Sequence, residues 1–231
     1  MKSIFILLFF NCLTYAQSGT VVYDAIPKKI DTSNLKASDD LTTDSDIKNM
    51  FHEMGKSHFS TTLTFNKEKS FFSIPNDINE SEIEIGEKLN RILLKYQPTY
   101  TIIKDSATYS LKENFMVKDK IIDDWVISTE TKQIDNFKCY KATRVEKLKN
   151  RKNEESEITT TAWFSPELPY SYGPTNYSGL PGLILELEFR GYKYVAKKIT
   201  LSKETIAIEL PKKKVISKEE YSKKLKANSQ F

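Results

Sequence analysis

Two histidines in 231 residues, both before position 60, leave little room for imidazole chemistry. A Cys–His nucleophile needs a base beside the thiol, and none is expected here. Glycine is nearly as rare, at seven residues. The segment Gly173 to Gly182 has no lysine and runs into a strand pattern, which excludes a phosphate loop. After the first residues no apolar run approaches the roughly 20 residues of a spanning helix, so no membrane span is expected in the mature chain. Charge is balanced, with 35 basic against 31 acidic residues. That balance favours solubility and gives no sign of nucleic acid as a partner.

The N-terminus reads as a secretory signal. Lys2 is the positive flank, Ile4 to Phe10 is an unbroken apolar run, and Thr14-Tyr15-Ala16 offers a small residue before the cut. Residues 1–16 are thus expected to be removed, leaving 17–231 as one domain. The protein is expected to be soluble, in the periplasm or outer envelope. Cys12 lacks the small preceding residues of a lipidation site, since Phe9-Phe10-Asn11 stand there. Cleavage leaves Cys139 alone, so no internal disulfide is available and stability must come from burial. The chain is 39% apolar and 12% aromatic, enough for a core.

The pattern of the mature chain is mainly strand. Runs rich in β-branched and aromatic residues predict strands over 20–26, 59–65, 70–74, 99–103, 108–111, 115–121, 125–127, 137–145, 158–164, 183–189, 192–201 and 205–210. In Leu183 to Phe189, Glu186 and Glu188 alternate with apolar residues and are expected on a wet face. Helical spacing predicts helices over 46–55, with Ile47, Met50, Phe51 and Met54 on one face, and over 81–96, with Ile85, Leu89, Ile92 and Leu93. Ser217-Lys218-Glu219-Glu220 is a capping box for a third. Residues 28–43 and 147–157 are polar enough to be loops. The fold class is therefore mainly β (α+β): a single domain, a curved antiparallel sheet or half-barrel with two or three short helices.

Between Pro166 and Gly182 lie four of the eight prolines and three of the seven glycines, interleaved with Leu168, Tyr170, Tyr172, Tyr177 and Leu180. Such a segment is a packed loop of specified backbone. Gly179 and Gly182 permit angles closed to other residues, and Pro181 fixes its own φ and extends Leu180. The three tyrosines are candidates for a recognition surface around that corner.

Gly179-Leu180-Pro181-Gly182-Leu183-Ile184, with Ala162-Trp163-Phe164-Ser165-Pro166, Pro169, Gly173 and Pro174 before it, resembles the GLPGLI family of exported Bacteroidota proteins. Trp125 and Phe137-Lys138-Cys139-Tyr140-Lys141-Ala142 are similar to a second block of that family. The resemblance implies an envelope protein on a curved antiparallel sheet, similar to lipoprotein carriers. It assigns no catalytic residue.

The expected function is a non-enzymatic binding module for an apolar ligand or an envelope protein partner, with no cofactor. The alternative is copper handling by Met50, His52, Met54 and His58, where thioethers and imidazole suit monovalent copper. Against it, Met50 and Met54 share the apolar helix face. A hydrolase reading would need a carboxylate pair such as Glu186 and Glu188 in a cleft.

Overall fold

The computed structural model describes residues 17–28, 41–75, 83–93, 97–149 and 155–228. Residues 1–16, expected to be a signal segment, and residues 29–40 lie outside them. The elements are β1 (Ser18–Pro27), α1 (Leu41–Lys56), β2 (Phe59–Asn66), β3 (Lys69–Ser73), α2 (Ile85–Leu93), β4 (Thr99–Ile102), β5 (Ala107–Leu111), β6 (Phe115–Lys120), β7 (Val126–Ile134), β8 (Phe137–Lys149), β9 (Glu155–Ser165), β10 (Leu183–Phe189), β11 (Tyr192–Ser202), β12 (Lys214–Ser217) and α3 (Lys218–Asn228).

All twelve strands form one sheet in the order β12-β6-β5-β4-β3-β2-β1-β11-β10-β9-β8-β7. Neighbours are antiparallel except β12, which pairs parallel with β6. Strands β6 and β8 stand nine steps apart in that order, about 43 Å along a flat sheet at ~4.8 Å per step. Asp119 of β6 and Arg144 of β8 nevertheless line one cleft. The sheet is therefore curled into an open barrel.

Period-two patterning builds the inner face. Gly19, Val21, Tyr23 and Ala25 of β1 lie opposite Phe65, Leu63, Thr61 and Phe59 of β2. These meet Phe72, Ala142, Ala162, Phe164, Leu187 and Tyr194 in the main core. Toward β4–β6 the inward positions turn polar: Thr99, Thr101, Thr108 and Ser110. The opposite parity of these strands carries Tyr100, Ala107, Tyr109 and Met116, which form a second core with Ile208. Residues 205–210 thus cross the outer face as an extended cover and do not pair as a strand; Asn66 and Ser18 pin their start by donating to the carbonyls of Ile206 and Glu204.

Residues 147–149 and 155–157, read as loop, extend the β8–β9 hairpin, with Lys147 opposite Glu157. Helix α2 also departs from its expected apolar face, since Ile85 and Ile92 are exposed. Its inner face is set by Gly86, against the Glu53 backbone, and by buried Asn90. That amide donates to the carbonyls of Met54 and Ser57 and accepts from the Tyr192 hydroxyl. A small residue and a satisfied amide bring the two helices closer than isoleucines would. Ser217 caps α3, accepting from the Glu220 N–H at 3.1 Å.

Candidate functional site

Residues 166–182 form a strap across the inner face. Leu168, Tyr170 and Tyr172 alternate with exposed or half-exposed Pro169 and Ser171, so the strap buries one side as a strand would. Three turns of inverse-γ pattern fold it, with N–H groups of Tyr170, Tyr172 and Gly182 donating to the carbonyls two residues back; Pro181 is the centre of the last. The N–H groups of Leu183 and Ile184 donate to Leu168 and Tyr172, tying the strap to β10 at 2.9 Å. The Tyr170 ring lies tilted against Phe65 of β2, 4.5 Å between centroids, and the buried Tyr23 hydroxyl donates to the Ile184 carbonyl.

Tyr170, Tyr172 and Tyr177 are 6, 1 and 3% exposed. Tyr170 and Tyr172 therefore make no recognition surface, because the strap turns their rings into the core and presents Pro166, Pro169 and Pro181 outward; Tyr177 is as buried and reaches only the floor of the cleft described below. Leu180 lies in the same core cluster, and Gly173, Pro174 and Gly182 are buried. Pro166, Pro169 and Pro181 are exposed. Gly179 has φ +89° and faces the Ile122 carbonyl. Gly182 needs no left-handed φ; what it needs is space, as a Cβ there would lie 2.2 Å from the Ser165 carbonyl oxygen.

Trp125 anchors the strap from the far side, its indole N–H donating to the Ser178 carbonyl at 2.9 Å. Its ring lies 6.0 Å from Tyr177, which meets Phe189 edge-on at 4.8 Å. The Tyr177 hydroxyl contacts Thr160 at 3.3 Å, and burial pushes its pKa up to about 12.

Above these rings a cleft of about 560 Å³ stays open. Thr99, Ser110, Asp119 and Lys120 line one wall, Arg144, Glu146, Phe189 and Arg190 the other, and Thr175, Asn176 and Tyr177 the floor. Arg144 donates to Asp124 at 2.5 Å and lies 3.8 Å from Glu146. Burial disfavours its charge, but the hydrogen bond and charges of these carboxylates outweigh that and hold the guanidinium above its ordinary pKa. Arg190 lies over the Phe189 ring, 4.0 Å from Glu146. Lys218 pairs with Asp119 at 2.5 Å. Thr175 has φ +57°, strained for a β-branched residue. A more open groove of about 740 Å³, sharing Asp119, Lys120, Ile121 and Asp123, continues past Gly179 toward Ser217.

The other candidates lie elsewhere. Cys139 is fully buried on the outer parity of β8, opposite Lys132, and burial pushes its thiol up to about 11. Glu186 is 8% exposed, not on a wet face: Lys132 and Lys193 bridge it at 2.8 and 3.2 Å, and the Lys132 ammonium caps the Trp163 ring. Glu188 pairs with Lys28 on the surface. Met54 is buried under α1, Met50 half-buried and His52 exposed. His58 faces Asp24 at 3.6 Å. Among the described residues no three His, Cys, Asp or Glu could hold a metal. No described helix is long and apolar enough to cross a membrane.

The cleft residues carried a weak sequence signal: Tyr140, Ala142, Arg144 and Glu146 share the inward parity of β8, so two charges point where apolar residues belong.

Comparison with known proteins is informative about fold and silent about activity. Residues 146–186 match a family model described as a protein of unknown function, Porph_ging. The match contains Trp163, the strap and the Gly179–Ile184 hexapeptide, and leaves out Trp125 and Cys139. No curated protein matches the chain. Among solved structures, PNGF-II in a P21 crystal form is similar over 90% of this chain and 33% of its own, at 14% identity and a TM-score of 0.52. PNGF-II in a C2 form gives 15% identity and 0.51, over 90% of this chain and 32% of its own. The chain spans about a third of the length of these structures, and at such identity the likeness is one of fold.

Proposed function

We propose that the chain is a non-catalytic binding module, exported to the cell envelope, whose polar cleft takes a compact ligand carrying both charges. The observation that carries this reading is the cleft's balanced lining: Lys120, Arg144, Arg190 and Lys218 against Asp119, Asp123, Asp124 and Glu146. A polyanion or polycation would meet as much repulsion as attraction there. An apolar ligand would strip water from eight charges without replacing it. A zwitterion satisfies both signs. Arg144 is already positioned by Asp124, whereas Arg190 stands half-exposed and beyond hydrogen-bond distance of Glu146, open to a ligand carboxylate in bidentate geometry. Strain at Thr175 in the floor supports a functional site, since such outliers cluster at sites of use. Carriage of an apolar ligand inside the sheet is disfavoured because the strap occupies that volume. Catalysis by Cys139 is disfavoured because its thiol is buried on the opposite face.

Amide chemical shifts of the isotope-labelled protein, titrated with amino acids and dipeptides as zwitterionic probes and with a fatty acid as apolar control, test this. Saturable shifts at Asp124, Arg144, Asn176 and Arg190 are expected with a zwitterion, and Arg190→Gln should weaken them about tenfold or more, or ~1.4 kcal/mol. Saturable shifts only with the fatty acid, or none with any zwitterion, would overturn the reading.

A further inference from the structure

Lysine is concentrated at one end of this chain. Residues 211–226 hold seven lysines against two glutamates, an excess larger than the +4 net charge of the whole protein. The rest of the sequence is close to neutral. The fold places these residues together at one edge: β12 is the outermost strand beside β6, and α3 follows it directly and packs against both.

Not all of these cations are free. Lys213 is turned inward, donating to the carbonyls of Lys112 and Glu113, and Lys218 is paired with Asp119. Lys212, Lys214, Lys223 and Lys224 point to solvent, with Glu220 reaching Lys224 only at 4.0 Å. Between them stand apolar groups. Val215 is 49% and Leu225 52% exposed, and Leu225 shares a groove with Phe115 and Tyr221. The ammonium groups of Lys112 and Lys224 lie 5.5 and 5.6 Å from the rings of Tyr221 and Phe115.

We infer that the β12–α3 edge is a peripheral docking surface for an anionic lipid bilayer. Charge complementarity chooses the sign of the partner, and the exposed apolar residues choose its class. Lysines reach phosphate headgroups while the exposed Leu225 and Val215 enter the interfacial layer. A nucleic acid would gain nothing from these aliphatic side chains, and the two rings that could stack on bases are covered by ammonium groups. Docking of this kind is shallow and reversible. Each lysine near an anionic surface strengthens binding about fivefold, so these four exposed lysines together supply on the order of several hundredfold. Because Lys218 also touches Asp119 in the cleft wall, a docked molecule holds its cleft beside the lipid surface.

Co-sedimentation with phosphatidylcholine vesicles, pure or containing about a third phosphatidylglycerol, tests this. The protein is expected to pellet with the anionic vesicles at low salt, to stay in solution with neutral ones, and to release as salt rises. Replacing Lys212, Lys214, Lys223 and Lys224 together by glutamine should weaken vesicle binding about 100-fold or more. Leu225→Gln should weaken it several-fold at unchanged net charge. All five positions are exposed, and matching circular dichroism confirms that the variants fold. No pelleting with anionic vesicles, a quadruple variant that binds like the parent, or a preference for duplex DNA or an acidic polypeptide over vesicles would each overturn the proposal.

Discussion

Gly182→Ala is expected to lower the melting temperature by about 6–12 °C, the equivalent of roughly 3 kcal/mol in a domain of this size. Hexapeptide motifs invite an explanation by glycine's backbone freedom, and at Gly179, with φ +89°, that explanation holds. At Gly182 the cause is different. A Cβ built there lies 2.2 Å from the Ser165 carbonyl oxygen, 2.6 Å from its carbon and 2.9 Å from the Pro166 nitrogen. All three atoms are backbone, at the point where β9 leaves for the strap and β10 returns. No rotamer change relieves the clash, so the two strand ends must separate. Overpacking costs typically ~1–3 kcal/mol and more where backbone must move. Gly55→Ala is the control: among the described residues nothing lies within 4 Å of a Cβ built there, it sits in α1, and alanine there should stabilise by up to about 1 kcal/mol. Thermal unfolding followed by circular dichroism reads both. A Gly182→Ala protein that melts with its parent would end this account of the motif.

The second large effect is at Tyr172, where ring and hydroxyl separate cleanly. The side chain is 1% exposed and among the largest fully buried ones. Its hydroxyl has no hydrogen-bond partner among the described residues, and its pKa is pushed well up by burial, with the charge of Glu68 and neighbouring Tyr170 adding to it. Truncation to alanine removes a ring that lies 6.3 Å from Phe65 and opens a cavity under the strap, at ~3–5 kcal/mol. Tyr172→Phe keeps the ring and deletes an unsatisfied polar atom, so it should be neutral or slightly stabilising. Denaturant melts of both variants check this. If the tyrosine served recognition, the order would invert: phenylalanine would abolish binding while alanine left stability near the parent's.

Much of the architecture was legible because strands announce themselves locally. Runs of β-branched and aromatic residues marked most of the strands, and the density of proline and glycine between 166 and 182 marked a specified loop. The sequence could not say which side of that loop the tyrosines take, because one parity serves a core and a surface equally well until the neighbouring strands are placed. The reading of 205–210 failed for a related reason. Its apolar residues do pack, but against the outer face of β4–β6 and without a ladder, and composition alone does not separate a paired strand from an extended cover. Glu186 was misjudged because strands far along the chain supply Lys132 and Lys193 to cover it. The cleft was least legible of all. Asp119, Arg144, Thr175 and Arg190 come from four distant segments and meet only when the sheet curls. Neither spacing nor motif announces such a site, and the faint sign was a pair of charges at the inward parity of β8.

Inside this curled sheet the volume is filled by the chain itself, and hydrogen exchange across the strap tests that claim most directly. The amides of Gly179, Leu183 and Ile184 donate to Ser171, Leu168 and Tyr172 within the strap or at its junction with β10. They should exchange as slowly as those of β1 and β2, by global unfolding alone. Exchange of these amides within seconds, while β1 and β2 stay protected, would show a strap that swings free of the sheet and would contradict the account.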